Sequence, residues 1–303
     1  MISPRSMSKL FLAGTLSMLS ACGSSEEGQT FSVQTEAELE QLMPMLRPGD
    51  RVNHGDLSLV VPSEGEGLYM EALYVDGRRA ELNLQTGRDG KVALVRGNPS
   101  REASDYRGAM GACTEGAYNL AGHKWRETYH WQFNAGSTPA ELNVGATEDK
   151  LRAAASNVTG GQNDCGLTDA ISASHNYGGR TTRSVSCGGS PDGVNVVGFG
   201  DLSMGTLAVA CSWYNPDTNT SKEGDIRFNK ADYTWTLHAE DPACRGRYGV
   251  EPVGTHEFGH VFGLGHVSEA DHPTLTMSTN IGPCDGSASS LGLGDVRGLR
   301  AMY

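Results

Sequence analysis

HEFGHVFGLGH, from His256 to His266, is the stretch whose reading decides this chain. An α-helix rises ~1.5 Å per residue with 3.6 residues per turn, so His256 and His260 would project from one face. Both imidazoles could then reach a single ion at a Zn–N distance of ~2.0–2.1 Å. Glu257 would stand beside that ion, where a general base for its water belongs. Gly263 can take φ > 0 with no Cβ penalty, so it would end the helix and turn the chain back. The turn brings His266 in as a third ligand. Three protein ligands leave one position open, which marks a catalytic zinc site and not a structural one. Met277 lies further on within TLTMST, residues 274–279.

The rest of the chain sets the context. Its 303 residues suffice for one large or two modest domains with a real core. Residues 1–21 read as an export signal: Arg5 and Lys9 supply the positive start, and Leu10 to Ala21 is apolar but too short to span a bilayer. Leu19-Ser20-Ala21-Cys22 resembles a bacterial lipoprotein box, which implies a lipid on Cys22. The alternative is ordinary secretion with Cys22 unmodified. Residues 22–30 form a small polar tether. The expectation is therefore an exported protein, lipid-anchored to the cell envelope. Gly23, and not Asp, after the cysteine points to the outer membrane by resemblance to sorting rules. Six of the seven cysteines remain after Cys22, an even number suited to three disulfides in an oxidising compartment. Sequence does not choose among their pairings. The net charge of −12 disfavours nucleic acid and anionic membrane surfaces as partners.

Residues 31–97 look separate from the later part of the chain and read as a small β-rich N-terminal domain. Glu36 to Leu46 suits one helix; Leu57–Val61, Leu68–Val75, Ala80–Leu84 and Val92–Val95 suit strands. Asp76-Gly77 and Asp89-Gly90 are hairpin signals between them. Residues 98–112 read as a linker. In residues 113–303, Lys124–Phe133, Asn195–Phe199, Leu207–Ser212 and Asp225–Phe228 are strand-like. Thr147 is the expected cap of a helix through Asn157, the zinc helix should open at Pro252, and Asp295 should cap a last helix.

These stretches allow a resemblance to be stated. Trp125, GTLAVA (Gly205–Ala210), GDIRFNKADYTWT (Gly224–Thr236), the zinc motif, Met277 and LGLGDVRGLRAMY at the end make residues 113–303 similar to a matrixin-type metzincin domain. The resemblance implies an α/β (α+β) fold: a twisted mixed sheet, helices behind it, and a zinc cleft across its front. It implies that Met277 sits in a tight turn beneath the zinc as an apolar support, and that Leu207, Ala208, Val209 and Ala210 form an edge strand with which a substrate peptide pairs. Where such proteins place histidines for a second, structural zinc, this chain has Val209 and Arg227, so one catalytic zinc is expected. Asn229 and Asp232 stand where calcium-binding carboxylates would be, which leaves calcium doubtful. Val267, after the third histidine, fits none of the well-known subgroups. Such proteins are held latent by a prodomain cysteine; Cys187 and Cys113 are read here as disulfide cysteines.

The function implied is zinc-dependent hydrolysis of peptide bonds in protein or peptide substrates, with Glu257 as general base. The rival is a non-enzymatic surface lipoprotein that binds a partner through its N-terminal β-domain. The intact Glu257 argues against it, because a retained scaffold needs no base there. Sequence sets neither the cleavage preference nor the oligomeric state.

Overall fold

The computed structural model describes residues 28–99, 111–168 and 171–303. The export signal, Cys22 and most of the 98–112 linker lie outside the described residues. The N-terminal part contains β1 (Thr30–Val33), α1 (Glu36–Leu42), β2 (Arg51–His54), β3 (Leu57–Val60), β4 (Glu66–Tyr74), β5 (Arg79–Thr86) and β6 (Val92–Leu94). The later part contains β7 (Tyr129–Asn134), α2 (Val144–Thr159), β8 (His175–Thr181), β9 (Asn195–Gly200), β10 (Thr206–Asn215), β11 (Thr220–Asn229), α3 (Val250–Val261) and α4 (Leu293–Met302).

One mixed sheet of eight strands carries the molecule, in the order β8-β7-β9-β11-β10-β4-β5-β6. Strands β8, β7, β9 and β11 run parallel, β10 is antiparallel to β11, and β4, β5 and β6 continue antiparallel. Strand β10, expected at an edge, thus has a neighbour on each side. The N-terminal hairpin supplies the second one, with Val209 opposite Ala72 and Ala210 opposite Glu71. The reason is apolar. Leu68, Met70 and Ala72 of β4 bury themselves in the same core as Val209, Cys211 and Trp213 of β10. At ~25 cal/mol per Å² of apolar surface removed from water, leaving that face uncovered would be unfavourable. A second core lies between the sheet and α2, α3 and α4, with Trp131, Phe228, Trp235 and Phe258 fully buried in it. In this chain the twisted mixed α/β sheet anticipated from sequence runs on into the N-terminal strands.

Local signals explain most element ends. Thr35 caps α1 with a reciprocal Glu38 bond, and the helix tightens into a 3₁₀ turn at Met43–Met45, short of the expected Leu46, where Pro44 supplies no N–H. Gly77 takes φ 73° at the β4–β5 turn. Helix α2 opens earlier than expected: the Asn143 side chain accepts from Ala146 N at 3.0 Å, and Thr147 lies inside the helix, donating to Asn143 O at 2.9 Å. Helix α3 begins at Val250, so Pro252 sits in its first turn and not at its opening. Asp295 is likewise not the cap of α4 but its third residue, and its carboxylate accepts from Gly292 N at 2.8 Å.

Three disulfides join Cys113–Cys165, Cys187–Cys211 and Cys244–Cys284. Cys113 and Cys187 are thus both paired, and neither offers a free thiol to a metal.

Candidate metal centre

Helix α3 is buried along almost its whole length, as a helix apolar on most faces must be. It can pass this close to the loop below because Gly259 has no side chain: a Cβ there would meet Met277 Sδ at 2.4 Å. Gly263 then takes φ 93° and turns the chain, with His123 O so near that any Cβ would strike it. That turn delivers His266 to the two helix histidines.

The three Nε2 atoms converge. His256 and His260 stand 3.0 Å apart, His256 and His266 3.0 Å, and His260 and His266 3.2 Å. His256 Nδ1 lies 2.7 Å from Thr276 O, and His260 Nδ1 lies 2.9 Å from Leu264 O. A carbonyl can only accept, so on both rings the proton is at Nδ1 and the Nε2 lone pair faces inward. Lone pairs aimed at one another repel unless a cation lies between them. Nitrogens each ~2.0–2.1 Å from one ion at near-tetrahedral angles are roughly 3.0–3.4 Å apart, so the donor set fits zinc. Burial lowers the pKa of all three imidazoles, His256 to about 4, which favours the neutral ligand form.

Two carboxylates share this buried space. Glu257 is fully buried, burial pushes its pKa up to about 7, and among the described residues neither of its oxygens has a hydrogen-bond donor. The other is Glu71 of β4. Its Oε2 lies 3.4 Å from His260 Nε2 and 3.3 Å from His266 Nε2, while its Oε1 accepts from Ala210 N at 2.9 Å. Burial first, and Glu257 second, raise the Glu71 pKa well above the carboxylate range. Ligand atoms of Glu71, His256, His260 and His266 all lie within 4.8 Å of one another.

Two layers hold the ligands in place. Below, Asp295 accepts from Thr276 N at 2.9 Å and Met277 N at 3.2 Å, so one carboxylate fixes the turn whose carbonyl orients His256. Above, the β4–β5 hairpin contributes Tyr69, whose hydroxyl is 3.2 Å from His260 Nδ1 and donates to Glu81 Oε1 at 3.1 Å. Glu81 Oε1 also accepts from His266 N at 3.0 Å. A cavity of about 630 Å³ opens beside His266, lined among others by Tyr69, Glu81, Arg96, Asn119 and His272.

The residues singled out from sequence are thus placed as follows. His256, His260, His266 and Glu257 meet at one point, and Met277 lies buried against α3. Leu207, Ala208, Val209 and Ala210 lie in β10, paired edge to edge with the neighbouring β4. Arg227 donates to Val185 O, and Asn229 donates to Thr206 O and Asp232 Oδ2. Sequence reasoning missed Glu71, Tyr69 and Glu81, and missed the role of Asp295. The three hairpin residues carry no motif or spacing that would mark them. Asp295 was visible only as a capping residue.

Comparison with known proteins agrees with this geometry. Residues 199–303 match the matrixin family model. A metalloendoproteinase of Arabidopsis thaliana, 4-MMP, is 29% identical over 109 residues, which is 35% of this chain and 28% of the relative's length. The match thus spans little more than a quarter of that relative. The C-terminal part of the chain is matrixin-like, and this match together with the histidine cluster supports a zinc metallopeptidase.

Proposed function

We propose that the chain is a zinc-dependent endopeptidase acting on proteins or peptides. The observation that carries this is the convergence of three inward-facing Nε2 atoms beside the buried Glu257, whose oxygens have no hydrogen-bond donor among the described residues. His256, His260 and His266 would hold one zinc, which when bound supplies Lewis acidity and lowers the pKa of a coordinated water. Glu257, raised by burial toward neutrality, is suited to accept a proton from the attacking water and return it to the leaving amine. Asp295 and Thr276 keep the His256 ring oriented, and Met277 closes the floor against water. The matrixin match over residues 199–303, which takes in β10 and the histidine cluster, supports the same reading.

The test is incubation of zinc-loaded protein, and of its Glu71→Ala variant, with a proteome-derived peptide library, with and without chelator. Internal cleavage by either that stops on chelation supports the proposal. Absence of cleavage by both, with zinc bound, would favour the rival in which the fold is a scaffold and the N-terminal strands bind a partner.

The proposed location is the cell envelope, through a lipid on Cys22. Several acyl chains at ~0.8 kcal/mol per buried methylene make such an anchor long-lived. Cys22→Ser should move the protein out of the membrane fraction or block its processing. Wild-type protein found soluble in the medium with no lipid on Cys22 would replace anchoring with plain secretion.

A further inference from the structure

The fourth side of the metal centre is closed by this chain itself. Strand β4 hydrogen-bonds to β5 on one side and to β10 on the other, so the strand position beside β10 is filled. An extended substrate would add to β10 at that same position. Where a substrate would present a carbonyl to the metal, β4 presents Glu71. The carboxylate is pinned by Ala210 N on Oε1, which leaves Oε2 fully buried, without a hydrogen-bond donor among the described residues, and aimed at the histidine nitrogens. It also lies close enough to the buried Glu257 carboxyl for the two to interact. Two buried carboxyl groups beside three inward-facing nitrogen lone pairs make a donor set that suits a cation.

We propose that Glu71 is the fourth ligand of the metal, and that the β4–β5 hairpin is an intramolecular inhibitor holding the site in a substrate-free, latent form. This rests on the zinc-site reading above. Two features suit the hairpin to the task. Tyr69 and Glu81 from the same hairpin touch His260 and the His266 backbone, so the inhibitor also braces the ligands it blocks. Leu68, Ala72 and Leu73 are completely buried, so the hairpin is seated as firmly as a core strand. A ligand delivered intramolecularly has a high effective concentration, and an external ligand of similar strength competes poorly with it. Exposing the site therefore requires displacement of β4 from β10, and does not follow from thermal opening of a side chain.

The experiment uses the full chain with cobalt in place of zinc, so that the visible spectrum reports the ligands directly. Acetohydroxamate, a small metal-chelating probe that needs no strand pairing, is titrated into wild type, Glu71→Ala and Glu71→Gln. Wild type should show a spectrum that the probe leaves unchanged. Glu71→Ala should retain cobalt on its three histidines, show a shifted spectrum before any probe is added, and bind the probe roughly a hundredfold more tightly or better. Glu71→Gln keeps the side-chain shape and the contact to Ala210 N, and should fall between the two, which preserves the test if the alanine variant misfolds. Equal probe binding by wild type and both variants, with cobalt in place, would overturn the inhibitory role while leaving the zinc site intact. Failure of every form to hold cobalt would overturn the metal centre, and this inference with it.

Discussion

The metal cradle and the hairpin above it were assembled by different rules. The cradle comes from one contiguous stretch, residues 250–303: helix α3, the Gly263 turn, the Met277 loop and the start of α4. Its geometry is set by helical periodicity and two close-approach glycines, all local in sequence. The hairpin arrives from far upstream, with 185 residues between Glu81 and the His266 it contacts. It is placed by strand pairing, in which the partner is chosen by exposed apolar faces and not by a motif. One site can thus be written in two grammars, one that states its chemistry openly and one that shows it only after folding.

The largest effect that could break this division concerns Glu257. Two buried carboxylates face the same point, and only the cradle's own is assigned the role of base. Glu257→Gln, made in the Glu71→Ala chain, should keep its zinc and its fold but lose peptide hydrolysis by roughly a thousandfold, within the range for removal of a general base. The readout is turnover against metal content. Turnover close to that of the Glu71→Ala parent would take the base role away from the cradle.

The next effect sharpens how rigid the cradle is. Asp295 accepts two backbone N–H groups on Oδ2, from Thr276 and Gly292, and one on Oδ1, from Met277. Asn at this position must point its amide at one set of donors, and a buried N–H then faces another N–H. The loss of charge-assisted bonds predicts about 2 kcal/mol lower stability for Asp295→Asn. Because Thr276 O orients His256, zinc affinity should also drop, about tenfold or more. Urea unfolding and competition with a chelator measure the two. A stability loss with unchanged zinc affinity would mean that the Met277 loop supports the fold without orienting the ligand.

The same contrast separates what could be read in the sequence from what could not. His256, His260 and His266 could be read because i, i+4 spacing and a glycine turn have only one geometric outcome. Seven of the eight strands of the sheet could be read individually from their apolar runs and hairpin glycines; β8, HNYGGRT, was missed because it carries almost no apolar residue. Their order could not, since nothing in GLYMEALY says that β4 will lie against β10 and not form a sheet of its own with β5 and β6. Glu71 was hidden for the same reason: it is an ordinary glutamate in a strand until pairing sets it opposite Ala210. Thr147 was misplaced because Asn143, four residues earlier, serves as the cap, and Asp295 because Gly292 holds the cap position while the Asp295 carboxylate reaches back to its N–H.

The smallest effect tests what binds the two regions together. Arg88, in the turn after β5, pairs with Asp217 in the β10–β11 turn at 2.7 Å, the side chains being 80% and 54% exposed. It is a visible link between the hairpin and the strands that stand between it and the cradle, yet water screens it and two exposed side chains must be ordered to form it. Such pairs contribute about 0–1 kcal/mol. The apolar seam of Leu68, Met70 and Ala72 against Val209, Cys211 and Trp213 should carry the attachment instead. Arg88→Ala is therefore expected to lower stability by no more than about 0.5 kcal/mol, and to leave acetohydroxamate excluded from the cobalt-loaded chain. High salt, which weakens exposed pairs and strengthens apolar contacts, should leave the site closed as well. Probe binding by Arg88→Ala, or by wild type in high salt, would show that the hairpin is held by surface charge, and that ionic strength alone can open the site.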